Sequence, residues 1–179
     1  MGIQALDTYT PPPSFSRGVF FRFSTWFLLG KPLCSSWLPG SAWRRLLLRL
    51  YGARIGCGGR IKPGIRITSP WLLVVGEHCW LGEDLWIDNL IEVRIGDHVC
   101  LSQAAYLCTG NHDYRRSSFD LRLGAIEVKS HAWIAAHSVL APGVTVGCGS
   151  IVVLGSVVLN DVPPNSIVRG NPAQVVGQR

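Results

Sequence analysis

The sequence predicts an all-β protein, a triangular solenoid with a helical cap ahead of it and a loop extruded from it. Three observations carry that prediction: a hexad repeat through most of the chain, two helical stretches before it, and one polar interruption within it. Repeats come first because a missed period miscalls the whole fold. An aliphatic residue recurs every six positions at Ile55, Ile61 and Ile67, at Val75, Leu81 and Ile87, and at Ile95, Leu101 and Leu107. The period resumes at Val128, Ile134 and Leu140, then at Val146, Val152 and Val158. Three hexads close one turn, so these fifteen side chains are expected to stack as three interior columns.

The early turns start 20 residues apart, at 55, 75 and 95, and the last two 18 apart, at 128 and 146. The two extra residues fall at the Ser69-Pro70 and Asn89-Leu90 corners. Between Leu107 and Val128 the period fails, which places residues 111–124 outside the coil as a loop. Loops projected from a rigid scaffold are where function concentrates. The chain divides into a cap (1–53), the coil (54–162) and a tail (163–179). Pro163-Pro164 is expected to stop the ladder, and Gly170-Asn171-Pro172 to turn the tail.

In the cap, Val19, Phe20, Phe23, Trp26 and Phe27 share one helical face, and Trp43, Leu46, Leu47 and Leu50 share another. Ser41 is placed to cap the second helix and Gly52 to end it. Both faces are expected to cover the open end of the coil, which otherwise offers unpaired backbone to other molecules.

Composition excludes some classes. With 179 residues and 47% hydrophobic content, the chain can fill one core. Arg22 breaks the apolar stretch Val19–Leu29, well short of the roughly 18 residues of a membrane span. A polar, proline-rich lead and no small-residue cleavage site argue against a signal peptide. The chain reads as cytoplasmic. Its six cysteines, Cys34, Cys57, Cys79, Cys100, Cys108 and Cys148, form no CxxC or CxxH spacing and read as reduced structural thiols. Charge is lopsided: residues 1–66 hold ten Lys/Arg against Asp7 alone, and residues 67–179 hold seven against ten acids. Arg17, Arg22, Arg44, Arg45 and Arg49 lie among aromatics and leucines, a mixture that suits weak peripheral binding to an anionic membrane. A cap whose arginines face water fits the same residues. No nucleic-acid motif accompanies the charge.

The repeat register sorts the histidines. His78, His98 and His131 share a column with Gly58 and Gly149, and His137 shares one with Gly64, Asp84, Ala104 and Gly155. Gly110, Gly143 and Asp161 recur in a third. Such sets suit corners in left-handed backbone. His112 instead opens the loop, in Thr109-Gly110-Asn111-His112-Asp113-Tyr114, where an imidazole is suited to deprotonating a hydroxyl.

Three segments carry a family resemblance: Arg49-Leu50-Tyr51-Gly52-Ala53-Arg54-Ile55-Gly56, Tyr106-Leu107-Cys108-Thr109-Gly110-Asn111-His112-Asp113, and Gly170-Asn171-Pro172-Ala173. Through these the chain resembles the hexapeptide-repeat acyltransferases, within them the colanic acid biosynthesis acetyltransferases. The resemblance implies a left-handed coil, against the usual crossover hand, and a homotrimer with active sites between subunits. It implies acetyl-CoA as co-substrate, with no metal, and a sugar or glycan acceptor, nucleotide- or lipid-linked. His112 matches the family's base. Trp133, Ala135, Ala136, Leu154, Gly155, Ser156, Asn160 and Arg169 match or neighbour the coenzyme site, with Arg179 a second candidate for its phosphates. Asp88, Asn89, Asn111, Asp113 and Tyr114 are the acceptor candidates. Asn160 stands where the sugar branch has a lysine, and Asp88 where it has an asparagine. Backbone N–H groups near Ala135-Ala136 or Gly155 would meet the oxyanion.

Two other readings compete. A carbonic anhydrase-like trimer would need His98, His112 and His131 to converge at about 2.0–2.1 Å on zinc. A structural solenoid would use residues 111–124 only as a subunit contact. Cys108, four residues before His112, could carry an acyl group through a Cys-His pair, although its position directly after the interior Leu107 argues against that.

Overall fold

The computed structural model describes residues 5–9 and 17–179. The hexads wind into about six turns of a left-handed β-helix. Three parallel sheets form its sides, each built from strands of two or three residues stacked one turn apart. Successive side chains on a strand point to opposite faces, so within each hexad the aliphatic residue turns inward and the residue before it outward. All fifteen predicted positions are buried, none more than 9% exposed. Register is kept across each turn, as in Arg60↔Trp80, Trp80↔Cys100, Cys100↔Trp133 and Trp133↔Ile151.

The corners follow the expected columns. His78, His98 and His131 have φ of 56°, 55° and 64°, and Asp84, Ala104 and His137 have 56°, 53° and 57°. Only Gly143 of the third expected column is left-handed, at 85°. Gly110 instead enters a strand of the extruded segment, and Asp161 spends its carboxylate accepting the N–H of Thr145 at 2.7 Å.

The ladder does not stop at Pro163-Pro164. Ser166–Gly170 pairs in parallel with Ile151-Val152, and Ala173–Gln178 folds back antiparallel beyond it. The prolines occupy a corner, where their missing N–H groups cost no ladder bond, and Asn165 at φ 54° continues the histidine column.

Two helical runs close the other end: Arg17–Thr25 (α1), continued through the π-turn Trp26–Gly30 into Lys31–Ser35 (α2), and Ala42–Leu50 (α3). Trp26 is buried, donates its indole N–H to the Ile67 carbonyl at 3.1 Å, and meets the Tyr51 ring edge-on at 5.0 Å. A Cβ at Gly30 would run into that indole, so glycine is required there. Phe23 stacks on Phe27, while the side chains of Val19, Phe20 and Arg17 lie outside the described residues.

The second helix buries another face than its apolar periodicity suggests. Arg44 and Leu48 point at the coil, while Leu46 and Leu50 are exposed. The Arg44 guanidinium decides this by binding four carbonyls, those of Cys34, Ser36, Leu38 and Gly40. Ser41 does not cap the helix: its hydroxyl accepts the N–H of Ile61 at 3.0 Å and donates to its carbonyl at 3.2 Å, tying the helix start to the coil. Gly52 ends the helix with φ 94°, as expected.

Candidate functional site

The extruded segment is rooted by Thr109. Its buried hydroxyl donates to the Asp88 carbonyl and accepts the N–H of Leu90, both at 2.9 Å. Beyond this root the segment is a hairpin arm: Gly110–His112 pairs antiparallel with Leu121–Leu123. The arm's turn is held by Asp113, whose buried carboxylate takes ion pairs from Arg122 and Arg116 and accepts the N–H of Arg115. Asp113 is therefore a brace, with its oxygens committed inside the arm, where an acceptor role had been expected. Asp120 is held below the ordinary carboxyl range by a hydrogen bond from Ser118 and by Arg116 at 3.1 Å.

His112 is half-buried on the arm. Its ring lies flat against Phe119, with centroids 4.3 Å apart and planes 4° from parallel, and Tyr9 meets it edge-on at 5.9 Å. Nδ1 lies 2.7 Å from the Phe119 carbonyl. A carbonyl oxygen only accepts, so Nδ1 carries the proton and Nε2 the lone pair. This is the tautomer that a general base attacking through Nε2 requires.

Asp88 pairs in register with Cys108, so the arm leaves the coil beside it. Its carboxylate accepts from the Thr68 hydroxyl at 2.8 Å and from the Tyr106 phenol at 3.4 Å. Burial, and then the neighbouring Cys108, raise the Tyr106 phenol, which keeps it a donor. Asn89 belongs to the interior: fully buried, it exchanges hydrogen bonds with the N–H and carbonyl of Ser69 and splints the widened corner. Asn111 is exposed and accepts the N–H of His112 at 2.7 Å, and Tyr114 is exposed at the arm's turn. Of the five acceptor candidates, the fold gathers Asp88, Asn111 and Tyr114 around the arm with side chains at least partly accessible. It commits Asn89 and Asp113 to structure.

Trp133 stands half-exposed on the sheet of Trp80 and Cys100 and donates its indole N–H to Ser102 at 2.9 Å. It borders a groove of about 390 Å³ that also includes Trp80, Arg60 and Gln103. At the corner beside this face, Ala136 stacks beneath Leu154 and His137 beneath Gly155, in the register set by Trp133↔Ile151 and Ile134↔Val152. The N–H groups of Ala135 and Gly155 are taken by the Val152 and Ala136 carbonyls, at 2.9 and 3.0 Å. That of Ala136 makes no hydrogen bond among the described residues. Ser156 is turned inward, its hydroxyl donating to Val153 and accepting from Gly170, so its side chain does not reach this surface. Asn160 and Arg169 are exposed on the last turns, whereas Arg179 is tied to the His131 and Gly149 carbonyls.

Cys108 points its thiol at the Gly110 carbonyl, 3.1 Å away. His98 and His131 stack face to face at 5.1 Å in their corner column, with His78 next in line, and do not converge with His112. Among the described residues, the group close enough to share a metal is Cys57, Glu77 and His78, all exposed, which the 20-residue turn brings together and short-range spacing does not reveal. Two features of the site escaped sequence reading, Phe119 and Tyr9. Phe119 has φ 51° with no glycine or asparagine to announce it.

A hexapeptide coil with a histidine on an extruded arm and a tryptophan-edged corner defines a class, the β-helical acyltransferases. The chain matches no family model. It is 37% identical over 99% of its length, and 98% of the relative's, to WcaF of Escherichia coli (strain K12), a protein named for colanic acid biosynthesis as an acetyltransferase. It is 27% identical to the galactoside O-acetyltransferase of the same organism, over 74% of this chain and 67% of that one. The hexapeptide-repeat acetyltransferase VCA0836 of Vibrio cholerae superposes with a TM-score of 0.83 at 26% identity, covering 92% of this chain and 94% of that one. That protein has also been solved with acetyl coenzyme A. The chain belongs to the hexapeptide-repeat acetyltransferases, in the group of the colanic acid biosynthesis acetyltransferases.

Proposed function

We propose that the chain transfers the acetyl group of acetyl-CoA to a sugar hydroxyl in polysaccharide assembly, by direct attack with His112 as general base. The observation that carries this reading is the bond from Nδ1 of His112 to the Phe119 carbonyl, which leaves Nε2 to take a proton. Nε2 removes the hydroxyl proton as the oxygen attacks the thioester carbon. The tetrahedral oxyanion collapses by releasing the coenzyme thiolate, which takes the proton back from His112. Ester and free coenzyme result, and no metal is called for. The N–H of Ala136 is the donor for the oxyanion in this reading, those of Ala135 and Gly155 being taken by the Val152 and Ala136 carbonyls.

Trp133, Ala135, Leu154 and Gly155 line the coenzyme's path, with Asn160 and Arg169 toward its nucleotide end. Asp88, Asn111 and Tyr114 contact the acceptor, a glycan carried on a nucleotide or a lipid. The working unit is a homotrimer in the cytoplasm, weakly associated with the inner face of the membrane through the cap. Support for the trimer is that Trp133 stands on the sheet of Cys100 and Ile151 while His112 leaves the coil from the sheet of Asp88 and Cys108, so that a neighbouring copy would bring the two surfaces face to face.

The test is transfer of labelled acetate from acetyl-CoA to a panel of nucleotide sugars and lipid-linked oligosaccharides. His112→Ala should lower turnover by roughly two to four orders of magnitude, with coenzyme binding kept. A folded His112→Ala protein with near-normal turnover refutes the base.

A further inference from the structure

The cap's outer surface is apolar. Trp26, Gly30 and Cys34 on one helical run, and Arg44 and Leu48 on the other, are the residues that face the coil. Of the remainder, Leu47 and Tyr51 pack partly against it, and other large apolar residues of the cap point away. Phe21, Leu28, Leu29, Trp37, Leu46 and Leu50 are each 59–76% exposed. Large contiguous apolar surfaces on soluble proteins mark interaction sites.

Charge narrows the occupant. The ten Lys/Arg of residues 1–66 face one acid in the same stretch, Asp7. Seven of these cations lie away from the outer surface: Arg44 is interior, Arg45 and Arg49 are bound to the Gly59 and Ile55 carbonyls at the coil's edge, and on the coil Arg54 and Lys62 pair with Glu92 and Glu83 while Arg60 and Arg66 lie over Trp80 and Trp86. Arg22 and Lys31 flank the surface, resting over Trp71 and Phe27 at 5.9 and 5.0 Å. Two copies meeting end to end would set this cationic rim against itself. An anionic bilayer offers opposite charge to the rim and an apolar phase to the centre.

We propose that this end face docks on an anionic phospholipid bilayer, inserting its leucines and aromatics into the interface, so that the coil stands on the membrane along its own axis. Insertion of side chains, rather than arginine attraction alone, holds it there. This deepens the acetyltransferase reading and rests on it for one point only, that a lipid-carried acceptor would then reach the arm from the membrane side. No described helix is long and apolar enough to cross a bilayer, which leaves docking on the surface as the mode.

The test is flotation of the full chain with phosphatidylglycerol-containing vesicles and with neutral phosphatidylcholine vesicles, at low and high salt, beside L28E/L46E. The wild type should float with anionic vesicles and keep a substantial bound fraction at high salt, and the double variant should bind about tenfold less. Acetyl transfer to a soluble sugar should stay within about twofold in both proteins, because neither leucine belongs to the site. A wild type that stays behind with anionic vesicles overturns the docking, as does a double variant that floats equally. A wild type with twice the solution mass of the variant assigns the face to a second copy and also overturns it. Absence of transfer to any acceptor by either protein would count against the acetyltransferase reading and leave the flotation result standing.

Discussion

The carbonyl oxygen of Phe119 lies 2.7 Å from Nδ1 of His112, and the Phe119 ring lies flat on the imidazole. One residue thus fixes both the tautomer and the plane of the base. It does so from φ 51°, a left-handed conformation that bulky side chains rarely adopt. The hairpin arm supplies what holds it there, through the Asp113–Arg122 pair across its turn and the N–H of Phe119 donating to Arg116.

Phe119→Val, β-branched and ill-suited to this φ, should lower kcat about ten- to a hundredfold while the KM for acetyl-CoA changes little, since misplacement of a catalytic group acts on turnover. Phe119→Gly keeps the backbone and loses only the stacked ring, so it should retain more activity. Equal, near-normal activity in both would place the orientation of His112 elsewhere.

Cys108 offers a thiol near the arm, yet that thiol is engaged with the Gly110 carbonyl. Cys108→Ser should keep most activity, and wild-type turnover should begin without a burst, as direct transfer requires. Acetate found on Cys108 by mass spectrometry after a quench would overturn direct transfer.

Thiol reactivity tests the interior independently of catalysis. Burial pushes the Cys34 thiol up to about 12, so at about pH 8 it should resist alkylation until the protein unfolds. Cys57 is exposed, and the Glu77 carboxylate 3.2 Å away raises its thiol by hydrogen bond and charge. Removing that charge lowers the thiol, enlarges the thiolate fraction and speeds labelling, so Glu77→Gln should make Cys57 react faster. Peptide mass spectrometry of timed samples reads both. An unchanged Cys57 rate would remove Glu77 as the cause.

The hexads made the coil legible because its core is one local rule repeated: an inward aliphatic, then a corner that accepts Gly, His, Asp or Ala. The root of the arm was legible for the same reason, as the place where the rule stops. Contacts between turns were less so. Asn89 reads as a polar residue beside Asp88, and only the stacking of its corner on Ser69 shows that it is interior. Asp113 reads as an acceptor ligand until the arm folds and brings Arg122 against it. The groups that select a conformation at such places are twenty residues or a whole hairpin apart, beyond any short motif.

Arg44 shows the same failure in the cap and supports the last prediction. Apolar periodicity turns Trp43, Leu46 and Leu50 toward the coil, but the buried Arg44 guanidinium donates to Cys34 at 2.9 Å, Gly40 at 2.8 Å and Leu38 at 2.7 Å, and also to Ser36. These carbonyls end α2 and line the turn into α3, and among the described residues Arg44 is their donor. Arg44→Met fills much of the volume and strands them, which should cost about 2–4 kcal/mol, the scale of buried polar groups left without partners. Arg44→Lys keeps the charge without the planar fork and should recover only part of the loss. Arg22→Gln, at an exposed position, should stay within about 0.5 kcal/mol of wild type. Denaturant titration compares the three. If Arg44→Met melts with the wild type, packing of Trp26 and Leu48 alone holds the cap, and Arg44 returns to being a surface charge.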